Sequence, residues 1–452
     1  MPGARRLVLG SIRFGSSVAF VFSACAASAS VLASCSTDGE AGGVDATDAG
    51  TDVDATVDLT TSDAGPRDGS SPMPEAAAFD GGPLPVVCAS PSCAKSLVTT
   101  ISSYFGQEGF CALLEDRTVA CWGGNDRGQL GRGDDAGTAG SAVAARVAGL
   151  SDIVQLASTC AVDASGASFC WGTGAYLQEE DAPTLLTTAT TPVKLPLPPA
   201  RSVSAYDVLG CAALVDGKVV CWGSNRNGQV APYEVAGPRA ALPPTEIAMP
   251  SGAPFQRVLV GDATFAVRSD GTMLSWGRNP PLGRVSSVAP DPVPSPISLE
   301  RVSSVDLVGD RACATLAGTG YCWGPGWWLE GQLERALPQP VVAPEPLVQI
   351  ATAFRPYTTE WRWCAVGASG DVYCWGSNAI GQAGDGTKDH AFYTVRVKGL
   401  PAPATQVKTT ATSTCALLTN GKVYCWGSNS SGQLGSGMFK VPSLVPQEVV
   451  LP

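Results

Sequence analysis

The fold is decided by the stretch CALLTNGKVYCWGSNSSGQLG, which runs from Cys415 to Gly435. Its Trp-Gly pair occurs seven times in the 452-residue chain, at steps of 47 to 54 residues. The seven tryptophans are Trp122, Trp171, Trp222, Trp276, Trp323, Trp375 and Trp426. Before each of them two apolar runs flank a short turn, usually closed by Gly, and this pattern predicts a β-hairpin. A period near fifty residues indicates a repeat architecture in which every unit packs on its neighbours.

The cysteines set the register of these hairpins. Cys415 and Cys425 lie ten residues apart, so a three-residue loop with Gly421 in third place sets them directly opposite each other. Opposed residues of antiparallel strands have Cα atoms about 4.5–5.5 Å apart, within reach of a disulfide. The predicted pairs of this kind are Cys111–Cys121, Cys160–Cys170, Cys211–Cys221, Cys364–Cys374 and Cys415–Cys425. Cys313–Cys322 is one residue shorter and needs a two-residue loop.

The fourth unit supports disulfides over other uses of cysteine. Phe265 and Ser275 take its two cysteine positions, so both members of the pair are absent together. Zinc sites need close CxxC spacing or added histidines, whereas His390 is the only histidine of the chain. No metal site and no cofactor are predicted. Cys88 and Cys93 form a further expected disulfide at the start of the domain, with a redox role as the alternative.

Strands such as VYCWG are apolar on both faces, which favours a β-propeller. A sheet with one face in water alternates apolar and polar residues, whereas a propeller blade packs on a neighbour at each face. Seven units then predict an all-β, seven-bladed propeller of about fifty-residue repeats. The last strand-like stretch, LVPQEVVLP at 444–452, is predicted to pair with the N-terminal blade and close the ring.

Four units resemble a known repeat family. WGSNSSGQLG, WGGNDRGQLG, WGSNRNGQV and WGSNAIGQAG, which begin at Trp426, Trp122, Trp222 and Trp375, are similar to repeats of the regulator of chromosome condensation family. The resemblance covers roughly residues 95–452 and implies a seven-bladed propeller. Relatives of this fold serve as nucleotide exchange factors for a small GTPase, as a β-lactamase inhibitor and as a light sensor. The fold alone does not choose among these functions.

The N-terminal region is predicted to direct export. Three arginines precede an apolar, small-residue stretch, which is the pattern of a signal peptide. The stretch ends in LASC, with Cys35 last, and resembles the lipobox of bacterial lipoproteins; Ala24–Cys25 is the competing cleavage site. Acyl chains on Cys35 would attach the protein to a membrane without a membrane-spanning segment. Ser36, next to the cysteine, favours the outer membrane of the cell envelope in the lipoprotein sorting pattern.

Three segments follow from these patterns. They are a lipoprotein signal peptide at 1–34, an acylated cysteine with an acidic disordered linker at 35–85, and the propeller at 86–452. Most of the net charge of −11 lies in the linker, which has almost nothing to bury. A calcium-binding repeat is the alternative for its spaced carboxylates, but the EF-hand ligand order is missing. No cluster of basic residues predicts nucleic-acid binding.

Binding, rather than catalysis, is the predicted function. His390, the only histidine, is interpreted as a surface loop residue rather than a catalyst, and the paired cysteines cannot act as nucleophiles, so no catalytic residue is assigned. The alternative is an envelope hydrolase or lyase that uses carboxylates; nucleotide exchange is a weaker one. An insertion before Cys364 carries aromatic and Arg residues, the types enriched at binding hot spots. The candidate partner-binding residues are Phe354, Arg355, Tyr357, Trp361, Arg362, Trp363, Trp327 and Trp328.

The expected partner is a protein or a glycan at the cell envelope, bound by a monomer. The insertion is predicted to form an exposed contact surface. For Trp327 and Trp328, packing between blades or inside the channel is an equal alternative.

Overall fold

The structure, a computed structural model, describes residues 79, 81–100, 107–133, 139–174, 187–239, 241–324, 336–353 and 361–452. They belong to one of two compact units of the chain, Pro74–Pro452. The other unit, Met1–Met73, contains the predicted signal peptide and Cys35 and lies outside the described residues. Within the described ranges, no helix has the length and apolar character needed to cross a membrane.

These residues form seven four-stranded antiparallel sheets, each built from four consecutive strands, which confirms the predicted seven-bladed propeller. Blade 1 contains β1 Ala94–Thr99, β2 Gly109–Leu114, β3 Val119–Gly123 and β4 Ser141–Arg146. Blade 2 contains β5 Ile153–Ala157, β6 Cys160–Asp163, β7 Ser168–Gly174 and β8 Thr187–Lys194. Blade 3 contains β9 Ala200–Tyr206, β10 Leu209–Leu214, β11 Val219–Ser224 and β12 Ala241–Glu246. Blade 4 contains β13 Phe255–Val260, β14 Ala263–Arg268, β15 Met273–Gly277 and β16 Asp291–Pro296. Blade 5 contains β17 Ser304–Val308, β18 Arg311–Leu316, β19 Thr319–Trp323 and β20 Gln339–Val341. Blade 6 contains β21 Leu347–Thr352, β22 Arg362–Gly367, β23 Val372–Gly376 and β24 Ala391–Arg396. Blade 7 contains β25 Ala404–Thr409, β26 Ser413–Leu418, β27 Val423–Gly427 and β28 Ser443–Val449.

Each strand of a blade has its own environment. The first strands of the blades surround a central channel. The second and third strands are buried on both faces in most blades, and in β2 and β3 every residue is buried, whereas β19 of blade 5 is partly exposed. The fourth strand is the outermost one and alternates between buried and exposed residues, as β4 does. The double burial of the middle strands explains why the hairpins carry almost no polar residues.

The structure contains the seven disulfides predicted from the sequence. Six join the second and third strands of a blade with Cα–Cα distances of 4.1 Å, and Cys88–Cys93 has 5.5 Å. The value of 4.1 Å lies just below the predicted range of about 4.5–5.5 Å. Gly421 has a φ of 75° as the third residue of its loop. The shorter Cys313–Cys322 hairpin has the expected two-residue loop, Ala317 and Gly318, both with positive φ.

The hydrophobic core lies between the blades. Each cluster of buried side chains draws on two neighbouring blades, as where Phe265 of blade 4 meets Leu307 and Ala312 of blade 5. Phe265 and Ser275 are opposite each other in the β14–β15 pair, at the positions that cysteines occupy elsewhere. In blade 4 packing of Phe265, including contact with Trp323 at 5.8 Å between ring centroids, takes the place of the disulfide.

The prediction that the C-terminal stretch pairs with the N-terminal blade is wrong. β28 pairs with β27 of its own blade, so no strand is exchanged between blade 7 and blade 1. Side-chain packing and single hydrogen bonds join these blades instead. Trp122 donates its indole N–H to the Gln433 carbonyl at 3.1 Å, and Glu108 accepts from Thr410, Thr412 and Ser413 at 2.6–2.9 Å. The repeat pattern located the last strand correctly but could not show which blade it completes.

Candidate binding site

The motif tryptophans connect neighbouring blades. In five blades the Trp indole N–H donates to a backbone carbonyl of the preceding blade, at 2.9–3.1 Å. These tryptophans are Trp122, Trp171, Trp276, Trp323 and Trp426, all at most 5% exposed. Trp375 of blade 6 differs, because it is only partly buried and its indole makes no hydrogen bond to a residue that the structure describes. The interface between blades 5 and 6 therefore departs from the common arrangement.

Arg362 fills the next interface, between blades 6 and 7. Its side chain is 2% exposed, and its guanidinium donates to the carbonyls of Thr410 and Ser413 at 3.0 Å and of Gln382 at 2.6 Å. It also contacts the Thr414 hydroxyl. Burial lowers the pKa of Arg362 to about 9, and the nearby Glu108 opposes that shift. The prediction that Arg362 contacts a partner is wrong, because the hydrogen bonds to these inter-blade groups occupy it.

Arg311 occupies the equivalent position of blade 5, two residues before the first hairpin cysteine. Its guanidinium lies over the ring of Trp361, 4.9 Å from the ring centroid, and donates to the Ala353 carbonyl at 3.4 Å. Burial lowers the pKa of Arg311, and Asp310 opposes that shift. Where Arg362 closes its interface, Arg311 therefore borders an opening.

That opening, here called the tryptophan cleft, has a volume of about 340 Å³. Its lining residues are Arg311, Cys322, Trp323, Gly324, Gln339, Trp361 and Trp363. Trp363 is paired with Trp375 across the β22–β23 ladder and stacks on it, with 6.0 Å between ring centroids. Trp361 meets the edge of Trp363 at 5.7 Å. Because Trp361 and Trp363 are both partly exposed, the cleft presents aromatic surface to solvent beside a desolvated guanidinium.

Of the eight candidate partner-binding residues, only three lie in the described part of the chain. The structure brings Trp361 and Trp363 together in the tryptophan cleft and removes Arg362 from it. The other five candidates, Phe354, Arg355, Tyr357, Trp327 and Trp328, lie outside the described residues. Arg311 and Gln339 were not predicted. The signal for Arg311 is its place two residues before Cys313, which matches the place of Arg362 before Cys364.

A second, polar pocket of about 510 Å³ lies between blades 3 and 4. Asp207, Asp262, Arg226 and Arg278 line it, and Arg278 forms a 2.6 Å salt bridge with Asp262. Burial and the nearby Asp262 raise the pKa of Asp207. These carboxylates were also not predicted.

Asp310, in the equivalent loop of blade 5, is electrostatically coupled to this pocket. Burial, with a further contribution from Asp262, raises its pKa to about 6. The tripeptide Val-Gly-Asp occurs at 260–262 and again at 308–310, and this repetition is the sequence signal for the acidic loops.

Comparisons with known proteins agree with this architecture. The regulator of chromosome condensation (RCC1) repeat matches residues 200–229 and 404–433, and again 420–452. The chain is 29% identical over 346 residues to the ultraviolet-B receptor UVR8 of Arabidopsis thaliana, which covers 72% of this chain and 76% of the receptor. It is 27% identical over 291 residues to the human E3 ubiquitin-protein ligase HERC2, half of this chain but only 6% of the ligase.

Solved structures show the same fold. Yeast RCC1 (Prp20), in a crystal structure with Kap60, superposes with a TM-score of 0.59 at 19% identity, over 73% of this chain and 83% of that one. Human WBSCR16 gives a TM-score of 0.58 at 17% identity, over 74% and 94%. The fold and the inter-blade cleft define a seven-bladed propeller with a candidate binding site between two blades. The repeat matches and the superpositions agree in supporting an RCC1-like propeller.

Proposed function

We propose that this protein is a binding scaffold that captures a protein partner at the tryptophan cleft. The observation that carries the proposal is the exposed aromatic surface of Trp361 and Trp363 at an interface whose equivalent is filled by Arg362. Aromatic and Arg residues in partly desolvated pockets dominate binding energy at protein interfaces. A volume of about 340 Å³ accommodates one inserted side chain.

The chemistry of the cleft favours an apolar or aromatic side chain of the partner. The indoles of Trp361 and Trp363, which meet edge to face, bury such a group well, and the Arg311 guanidinium is held beside them by Trp361 and the Ala353 carbonyl. A partly buried guanidinium can donate to a backbone carbonyl of the partner without losing much further hydration. Yeast RCC1, a propeller of the same fold, was crystallised with a second protein, Kap60, bound to it, which supports protein binding as a use of this fold.

Affinity capture with matched variants tests the proposal. The propeller unit Pro74–Pro452 is immobilised as wild type, as Trp361→Ala/Trp363→Thr, and as the control Phe392→Ala/Tyr393→Ala. The control removes two aromatics that are 81% and 86% exposed elsewhere on blade 6. Proteins retained by the wild type and the control, but not by the cleft variant, are the expected result, with all three proteins folded at the temperature of the assay. Loss of capture in the control alone would overturn the proposal.

We also propose that the protein is exported and held at the cell envelope by acylation of Cys35. Seven disulfides support the proposal, because such bonds form and persist in oxidising compartments. Metabolic labelling with a radioactive fatty acid is expected to label the wild type and Cys25→Ala but not Cys35→Ala. Label retained in Cys35→Ala would show that the predicted site is wrong.

Carboxylate chemistry is the second candidate function. Asp310, with its pKa raised to about 6, could donate a proton near neutral pH, and Asp207 and Asp262 supply further carboxylates nearby. A panel of aryl glycosides tests this candidate. Hydrolysis by the wild type that is lost in Asp310→Asn but kept in the exposed control Asp152→Asn would establish it; no hydrolysis by the wild type would reject it for these substrates.

A further inference from the structure

The central channel contains two rings of side chains from the innermost strands. On the first strand of each blade, one residue lies directly opposite the first hairpin cysteine, or opposite Phe265 in blade 4, and these residues form the second ring. The residue two positions earlier on the same strand belongs to the first ring. Six of these residues are neutral and polar, namely Ser96, Gln155, Ser202, Ser304, Gln349 and Gln406. The seventh, in blade 4, is Arg257.

Four of the six neutral residues of this ring accept a hydrogen bond from the next blade. Gln406 accepts the Leu97 N–H at 2.8 Å, Gln349 accepts the Val407 N–H at 2.9 Å, and Gln155 and Ser202 accept from the next blade in the same way, at 3.2 and 3.3 Å. A guanidinium has five donors and no acceptor, so Arg257 cannot take this role. Arg257 therefore presents hydrogen-bond donors to the channel at a level where four of its counterparts are acceptors.

Arg257 is only weakly compensated, because its one favourable charge interaction is with Asp306 and is outweighed by burial. Among the residues that the structure describes, its guanidinium makes no hydrogen bond and no salt bridge. The side chain is partly accessible inside the channel, but the surrounding blades withdraw it from bulk water, and this desolvation lowers its pKa. A buried charge without a partner is costly, and proteins normally pair it.

The nearest carboxylate in the channel is already engaged. Asp306 of the second ring forms a 2.5 Å salt bridge across the channel with Lys408 and accepts the Thr352 N–H at 2.9 Å. Ala351, the residue of blade 6 in the second ring, is small enough to leave the path between Asp306 and Lys408 open. Arg257, Asp306 and Lys408 are the charged residues among those lining the described channel, so it has a net positive charge.

We propose that the channel binds a small aliphatic carboxylate, which accepts hydrogen bonds from Arg257. The available volume of about 280 Å³ suits a small ligand. Planar carboxylates match the fork of a guanidinium with two parallel hydrogen bonds. Beside the polar ring, Val98, Leu259 and Val308 add partly exposed aliphatic surface to the channel lining, on which a short hydrocarbon chain can pack and phosphate cannot.

Calorimetric titration of the protein with propionate tests the proposal, with propionamide and inorganic phosphate as comparison ligands. Propionate is expected to bind at one site, propionamide is not, and phosphate binds more weakly than propionate. Arg257→Gln is expected to weaken propionate binding by about tenfold or more. Arg257→Lys retains part of the affinity, and the control Arg201→Gln, an exposed arginine on the neighbouring first strand β9, retains all of it.

Thermal melting separates this role from a structural one. Without added anion, Arg257→Gln is expected to melt at the same temperature as the wild type or higher, because a poorly compensated charge has been removed. Propionate raises the melting temperature of the wild type only. A lower melting temperature of Arg257→Gln without anion, equal propionate binding in the variant, or binding of phosphate without propionate would each overturn the proposal.

Discussion

The blade 6–blade 7 interface and the blade 5–blade 6 interface use equivalent strand positions but differ in packing. At the first, Arg362 from one blade meets Thr414 from the next, and Trp426 donates to the Gln382 carbonyl at 2.9 Å. At the second, Arg311 is equivalent to Arg362, and Trp363 stands where blade 7 has Thr414.

The difference shows how one side chain can convert a core contact into a site. Thr414 is small and offers a hydroxyl to the arginine, so the interface closes around hydrogen bonds. Trp363 is large and offers no acceptor, so Arg311 lies over Trp361 and the stacked indoles remain partly exposed. A propeller can thus acquire a binding site at one interface while the repeated backbone stays unchanged.

Substitution of the two arginines is expected to give the largest contrast. Arg362→Met should lower the free energy of unfolding by roughly 3–5 kcal/mol, because several buried carbonyls lose their donor. Arg311→Met should cost less, about 1–2 kcal/mol, since the contacts described for it are a long hydrogen bond, a 3.8 Å ion pair with Asp310 and the contact with Trp361. Urea denaturation of the oxidised proteins measures both. Equal losses would show that the two interfaces do not differ as described.

Exchange of the residues next to these arginines sharpens the comparison. Thr414→Trp should cost roughly 2–3 kcal/mol, because it overfills a closed interface and removes a hydroxyl that donates to the Gln382 carbonyl. Trp363→Thr should cost about 1 kcal/mol, since its ring is partly exposed and loses mainly the stacking on Trp375. Thermal unfolding of the two variants checks the order, and the reverse order would be inconsistent with an open cleft.

A smaller effect on stability, which depends on pH, is expected from Asp310, the residue next to Arg311. The pKa of Asp310 is raised from 3.8 to about 6 by burial, so the folded protein holds this proton more tightly than the unfolded chain. Stability is therefore lost as pH rises from about 4 to 6, and the loss is complete above that range. Asp310→Asn should be more stable than the wild type by on the order of 2 kcal/mol at pH 8 and equal to it at about pH 3.5. Unfolding curves at both values measure this difference; a constant difference would contradict the raised pKa.

Much of the fold follows from the sequence because its signals are local. The hairpin turns, the ten-residue cysteine spacing and the Trp-Gly period predicted the strands, the disulfides and the number of blades. The place of β28 was mispredicted, because in a closed ring of similar units the sequence period does not show where one blade ends and the next begins.

Only part of the candidate site could be predicted, because the side chains of a strand alternate between its two faces. Successive residues of a strand point to opposite faces of the sheet. In Trp361-Arg362-Trp363 the tryptophans therefore face blade 5 and the arginine faces blade 7, although composition alone assigned all three to one surface. Arg311 joins the site from a different blade, a contact that spacing along the chain does not reveal.

The openness of the tryptophan cleft is tested most directly by hydroxyl-radical footprinting of the folded protein, with oxidation of each tryptophan measured by mass spectrometry. Trp361 and Trp363 are expected to be oxidised several-fold faster than Trp426 and Trp122, which are fully buried. Protection of Trp361 and Trp363 equal to that of Trp426 would show that the blade 5–blade 6 interface is closed and that the cleft is not a binding site.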